Sequence, residues 1–295
     1  MKNLYVCGSG FAGAAVHRNQ EVFKNSRIRL QESSRDFIYA HNQIDFHSLR
    51  SELIQKNVDV VLNASGPTNI QESFRNLDLY LNQPLMQVKS HLQIMSEVNK
   101  EFTYIYLSSA AVYGNTPIKA IESQQLFPES PYAIGKAAVE TFLLNAETIP
   151  ENVSIKVLRA TSLYDNTLSS RVLFLIKESL LKTKSINLFG SGDETRDFLH
   201  TLDLSRFIAQ IAVQDSKMAE VFNLGSGRSL SMREVVDIAV RVLLDVKLDS
   251  RMIFSGIDRI GDPVNMKVSV EKLCSLGTST TIFPTVGLGN YFEAK

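Results

Sequence analysis

Apolar positions along the chain cluster into short runs separated by longer stretches of mixed composition, the alternation expected of strands and helices in turn. Leu4 to Cys7 is the first such run, followed by a glycine cluster and a segment, Ala12 to Lys24, of helix-compatible composition. Further apolar or β-branched runs at Ile28–Leu30, Val58–Leu62, Tyr104–Leu107 and Ile155–Leu158 alternate with helix-like stretches. Strands joined by intervening helices lie parallel, so the pattern predicts an α/β fold with a doubly wound parallel sheet over residues 1–165. After Asp165 the pattern loosens. Arg171–Lys182 reads as a helix, Ile186–Phe189 as a strand, and Asp203–Val213 as a helix with Leu204, Phe207, Ile208 and Ile211 on one face. Ser231 with Glu234 three residues later is a capping box that opens a helix through Leu244. No repeat, low-complexity stretch or linker breaks the chain, so residues 166–295 are expected to form mainly a smaller α/β lobe, with some segments returning to the first domain.

Composition narrows the partners. Lysine plus arginine equals aspartate plus glutamate at 31 each. Without a bulk basic field, neither nucleic acid nor an anionic membrane is an expected partner, and any phosphate must be recognised by a few placed residues. Two cysteines, Cys7 and Cys274, are too few for a disulfide framework, which suits the cytosol. No run approaches the roughly 18 apolar residues of a membrane span. The first strand is expected by Leu4, and no signal peptide is expected before it. His17, His41, His47, His91 and His200 are scattered without metal-ligand spacing and read as structural or surface groups, so no metal is expected.

Gly8, Gly10 and Gly13 in VCGSGFAG form a G-x-G-x-x-G directly after the first strand. There the missing side chains let the backbone of Gly8, Gly10, Phe11, Ala12 and Gly13 approach a pyrophosphate at a helix N-terminus, as in Rossmann-type dinucleotide sites. At the end of the second strand the signals for the cofactor's ribose conflict. Glu32 suits free hydroxyls, as in NAD, whereas Arg35 with Ser33 and Ser34 suits a 2′-phosphate, as in NADP. The choice stays open. Asn63, Ala64 and Ser65, at the end of the third strand, are expected to line the same cleft through their backbone, with a turn-capping role for Asn63 as the alternative. Asp45 is a further candidate, for contact with adenine.

Tyr132 and Lys136 stand four apart at the start of an apolar helical segment, so both project from one helical face. A phenol with a pKa of about 10 is a poor base at neutral pH, but a fixed ammonium beside it favours the phenolate. Tyr132 is then able to exchange a proton with an alcohol while hydride moves to nicotinamide. Upstream, the strand Tyr104–Leu107 runs into Ser108 and Ser109 at the C-terminal edge where α/β sheets place their ligands, and a serine hydroxyl there can bond to the reacting oxygen.

With these residues in view, the chain resembles the extended short-chain dehydrogenase/reductases, and among them the nucleotide-sugar epimerases, reductases and dehydratases. The likeness spans nearly the whole chain and rests on the opening glycines, SSAAVYG at 108–114, SPYAIGK at 130–136, LRATSLYD at 158–165, GSGDETRDFLHTLDL at 190–204 and FNLGSGRSLSMREV at 222–235. The resemblance implies a Rossmann domain with a C-terminal substrate-binding lobe and an NAD or NADP cofactor. It also implies a nucleotide-diphosphate sugar as substrate. By the same likeness Tyr132 is the catalytic acid/base, Lys136 its partner and a holder of the nicotinamide ribose, and Ser109 the assisting hydroxyl, with Ser108 beside it. Arg196 and Arg259 match arginines that face the diphosphate, which suits the fork of a guanidinium. The stretches Leu85–Val98 and Ala133–Leu144 correspond to helices with which relatives build a homodimer.

Three departures bear on the reaction. Cys7 takes the place of the family's usual first glycine. Ser162 stands where many relatives carry asparagine, so a sugar contact differs. Ala110 and Ala111 replace the acid pair of the 4,6-dehydratases, which removes the groups such an elimination needs and leaves epimerase and 4-keto reductase open. The alternative of another class is a catalytically silent nucleotide sensor on the same fold. The joint presence of Tyr132, Lys136 and Ser109 favours the enzyme.

Overall fold

The computed structural model describes residues 1–24, 26–31, 46–166, 171–244 and 252–294. Its main sheet is parallel and six-stranded among the described residues. The strands are β1 (Lys2–Cys7), β2 (Ile28–Leu30), β3 (Val60–Asn63), β4 (Phe102–Ser109), β5 (Val153–Ala160) and, from much later in the chain, the strand Glu220–Leu224. The order is β2, β1, β3, β4, β5 and then the late strand, so the direction of winding reverses beside β1. The crevice at such a reversal, at the carboxyl ends of the strands, is where open α/β sheets take their ligands.

The central strands are buried on both faces, and each face packs on its own helices. On β4, Ile105 and Leu107 join one core with Leu204, Phe207, Ile208 and Ile211 of the helix Thr201–Ala212. Tyr104 and Tyr106 point the other way, into a core with Val88 and Leu92 of the helix Leu77–Ser96 and Val139 and Leu143 of the helix Pro131–Leu144. The apolar face expected on the segment from Asp203 therefore serves the main sheet, although it lies far along the chain.

A smaller body carries its own core, in which Leu173, Ile176 and Leu180 of the helix Arg171–Thr183 pack on Val235, Val236 and Ala239 of the helix Met232–Leu244. Its strand Thr195–His200 is flanked by Ser162–Tyr164 and Asn265–Met266 in parallel and by Ser229–Ser231 in antiparallel. The capping box forms: the Ser231 hydroxyl accepts from Glu234 N at 3.2 Å while Glu234 Oε2 accepts from Ser231 N at 2.7 Å.

One element differs from expectation. The single helix anticipated over Ala12–Lys24 is two pieces, Phe11–Arg18 and Glu21–Lys24. Asn19 ends the first, and its side chain donates to Ser205 Oγ at 3.3 Å on the neighbouring helix, a tertiary contact that helix propensity does not contain. Among the described residues no helix is long and apolar enough to cross a membrane.

Candidate active site

A cavity of about 1230 Å³ runs from the glycine turn after β1, past the ends of β3, β4 and β5, to the loop 258–264 of the smaller body. At its cofactor end the three glycines have different tasks. A Cβ on Gly8, whose φ is +116°, would lie 2.8 Å from the backbone of Ala64 and Ser65, and one on Gly13 would lie 1.9 Å from the Gly8 carbonyl oxygen. These two let the turn close on itself and on β3. A Cβ on Gly10 would meet nothing within 4 Å, because that position faces the open cavity. Gly10 also caps the helix Phe11–Arg18 without any side-chain hydrogen bond. The free N–H groups of that first turn, beside Phe11 and Ala12 in the cavity wall, therefore suit an anionic pyrophosphate.

Ala64 and Ser65 line the cavity, whereas Asn63 is buried below it. The Asn63 amide donates to the Tyr104 hydroxyl at 2.9 Å and its oxygen accepts from Ser65 N at 3.1 Å, so it shapes the turn. Tyr104 in turn bonds His91 Nδ1 at 2.9 Å, and burial lowers that imidazole to about 4, so His91 is a neutral core residue. His200 is likewise structural, its Nδ1 accepting from Leu202 N at 3.1 Å at a helix start. Glu32, Arg35 and Asp45 lie outside the described residues, as do His41 and the side chain of His47.

The helix Pro131–Leu144 opens with the Ser130 hydroxyl accepting from Ala133 N at 3.3 Å and with proline in its first turn, where no N–H is missed. Gly135 brings it hard against the helix Leu77–Ser96: a Cβ there would sit 1.9 Å from the Tyr80 carbonyl oxygen. That close crossing sets the Tyr80 ring edge-on to Tyr132, with centroids 6.4 Å apart.

Tyr132, Lys136 and Ser109 all line the cavity. Burial raises the Tyr132 phenol above its usual pKa, and a hydrogen bond with the Ser109 side chain opposes the rise. Ser109 is itself held at the end of β4, its hydroxyl oxygen accepting from Ala111 N at 3.2 Å. The Lys136 ammonium donates to the Leu107 carbonyl at 2.9 Å and lies 4.7 Å from the centroid of the Tyr106 ring. From the helical spacing the ammonium is expected to lower the phenol; here desolvation outweighs the opposing hydrogen bond of Ser109 and the net shift is upward. Burial also lowers Lys136, to about 8, against the opposing charge of Glu140.

Ser108 is turned inward, and its hydroxyl donates to the Glu140 carboxylate. Ser162, at the start of its strand, lines the cavity, as do Arg196 and Arg259 at the far end. Arg196 Nη1 donates to the Thr195 and Val264 carbonyls at 2.9 and 3.2 Å, and Arg259 Nη1 stands 3.6 Å from Asp262 Oδ2. Burial raises Asp262, and the two guanidiniums pull it back. Asp262, Glu72 and Arg75 in the cavity wall, and the buried Glu140 and Arg159, are not among the residues that the sequence singles out. For Glu140 a signal existed, a carboxylate four residues past Lys136 on the same helical face.

Comparison with known proteins shows the family and the fold. The model of a family described as "NAD dependent epimerase/dehydratase family" matches residues 8–225. The UDP-glucose 4-epimerase of Mycoplasma genitalium is 25% identical over 296 aligned residues, covering 90% of this chain and 86% of that protein. Among solved structures, the UDP-glucose 4-epimerase of Thermus thermophilus in complex with NAD superposes with a TM-score of 0.80 at 19% identity, over 100% of this chain and 98% of the other. RMD from Pseudomonas aeruginosa complexed with NADPH gives 0.80 at 20% identity, over 99% of each.

Proposed function

The chain belongs to the NAD dependent epimerase/dehydratase family, and from that premise we propose that it acts on C4 of a nucleotide-diphosphate sugar as a 4-epimerase or 4-keto reductase. One observation carries the reading. The Tyr132 phenol, the Ser109 hydroxyl and the Lys136 ammonium open onto one cavity whose ends offer an uncapped helix N-terminus and a pair of arginines. That helix end and the open space at Gly10 fit a dinucleotide pyrophosphate, so Gly10, Phe11 and Ala12 hold it, and Lys136 bonds the ribose next to the nicotinamide. When bound, the nicotinamide accepts or returns the hydride.

The protein's own groups handle the proton. Desolvation raises the phenol's pKa and keeps it protonated at neutral pH in the ligand-free protein, ready to give its proton to O4 of a keto sugar. In the oxidative direction Tyr132 takes that proton back, with the Ser109 hydroxyl holding O4 and the phenolate supported by the serine and the nearby ammonium. Arg196 and Arg259 grip the diphosphate, Asp262 keeping both cationic side chains in place until the anion arrives. The buried Ala110 and Ala111 offer no acid or base for elimination, which argues against a 4,6-dehydratase. Exposed Leu77, Met86 and Ile134 on the two packed helices support a second copy of the chain as partner.

The test is turnover on UDP-glucose, UDP-galactose and UDP-glucuronate. Interconversion of two sugars without added cofactor identifies an epimerase, and stoichiometric consumption of NADPH a reductase. The Tyr132→Phe protein is expected to lose turnover by at least about 100-fold while binding NADH within roughly threefold of wild type. Unchanged turnover in Tyr132→Phe removes the catalytic assignment.

A further inference from the structure

Beneath the site lies a charged pair that the proposed chemistry does not use. Glu140 is 1% exposed and Arg159 of β5 is 3% exposed. Arg159 grips Glu140 Oε2 through Nε at 2.9 Å and Nη2 at 2.7 Å. The other carboxylate oxygen accepts the hydroxyl of Ser108, the chain neighbour of Ser109. Arg159 Nη1 continues to the Tyr113 hydroxyl at 2.8 Å and the Glu122 carbonyl at 2.9 Å, and Tyr113 donates to Asn223 Oδ1 at 2.7 Å. The carboxylate thus ties the helix of Tyr132 and Lys136 to the ends of β4 and β5 and to the turn after Ser109. A buried ion pair adds little net stability over an apolar pair of the same shape, so its presence asks for another reason.

We propose that Glu140 is a positioning residue: its clamp on Ser108 and Arg159 fixes the Ser109 turn against the helix carrying Tyr132, and its charge, one helical turn on from Lys136, acts on that ammonium. The inference rests on the roles given above to Tyr132, Lys136 and Ser109. Around Lys136 stand Tyr132 and Glu140 from its own helix, Tyr106 and the Leu107 carbonyl from β4, and, across a small gap, Tyr80 from the helix Leu77–Ser96. Arg159 of β5 faces Glu140 instead, with Tyr113 of the turn after β4 bonded to Arg159, and Glu72 of the helix Ile70–Ser73 is 3.4 Å from the Tyr80 hydroxyl. Glu140 supplies the charge that offsets the ammonium's desolvation.

The experiment titrates NADH binding by fluorescence as a function of pH for wild type, Glu140→Gln and Glu140→Asp, and follows hydride transfer with whichever UDP-sugar the wild type turns over. Wild-type affinity for NADH is expected to fall on the alkaline side as Lys136 gives up its proton near 8. In Glu140→Gln that fall moves about one pH unit lower. In Glu140→Asp, which keeps the charge but is one methylene short, the alkaline fall stays in place while hydride transfer drops about 10- to 100-fold. A wild-type pH dependence in folded Glu140→Gln overturns the role of its charge, and a wild-type rate in Glu140→Asp overturns the clamp. If Glu140→Gln does not fold, Glu140→Asp and Ser108→Ala, both of which leave a carboxylate opposite Arg159, decide the matter: a wild-type rate in either overturns the clamp, and with it the proposal. A wild-type protein that neither binds NADH nor turns over a sugar overturns the enzymatic reading itself, a result distinct from the failure of the Glu140 variants.

Discussion

Replacing Lys136 by methionine is expected to make the ligand-free protein more stable while removing its function. The ammonium is desolvated in the fold, and its pKa drops from the usual 10.5 to about 8. That drop corresponds to about 3 kcal/mol by which the folded state disfavours the charge. Methionine keeps the length and apolar stem without the charge. It forfeits the hydrogen bond to the Leu107 carbonyl, worth about 1 kcal/mol, and the contact with the Tyr106 ring, worth about 0.5–1 kcal/mol. A net gain of roughly 1–2 kcal/mol follows, or about 2–5 °C in melting temperature for a chain of this size. The pH dependence has a definite sign. Below 8 the lysine is charged in both folded and unfolded chains, so wild type bears the full cost and the variant's advantage is complete. Between 8 and 10.5 the folded chain gives up its proton first, the cost fades, and above 10.5 the advantage is gone. Thermal melts of the two ligand-free proteins across this range, with NADH titrations alongside, are the assay. A variant that melts at or below wild type at neutral pH refutes the reasoning, as does an advantage that survives above 10.5.

Two further predictions separate fold from ligand. Gly13→Ala drives a methyl group to 1.9 Å from the Gly8 carbonyl oxygen and is expected to cost about 2 kcal/mol or more in urea unfolding. Gly10→Ala meets no protein atom within 4 Å, so its stability stays within about 1 kcal/mol of wild type while NADH affinity falls about tenfold or more. Arg196→Ala is expected to weaken calorimetrically measured UDP binding by about 10- to 100-fold, the worth of a charge-assisted hydrogen bond, and to leave NADH binding within about twofold.

Features that depend on near neighbours along the chain were legible before any coordinates. The glycine turn after the first strand, the spacing of Tyr132 and Lys136, and the Ser231–Glu234 capping box each arise within one or two turns of backbone, where sequence separation fixes distance. The family blocks added the direction of the chemistry. What stayed hidden depends on how elements approach each other. Some segments after residue 165 are expected back at the first domain, but no local pattern says that these are the helix Thr201–Ala212 and the strand Glu220–Leu224, because an apolar face is silent about which surface covers it. Nor does Ser108, identical in type to Ser109, announce that its hydroxyl belongs to Glu140 while its neighbour faces Tyr132; strand alternation at the end of β4 and the burial of Arg159 decide that. The ammonium of Lys136 is the sharpest case. Its place on the face of Tyr132 follows from the helix, but its bond to the Leu107 carbonyl and its weakened hold on a proton follow from desolvation, which exists only once β4 and the helix Leu77–Ser96 have closed around it.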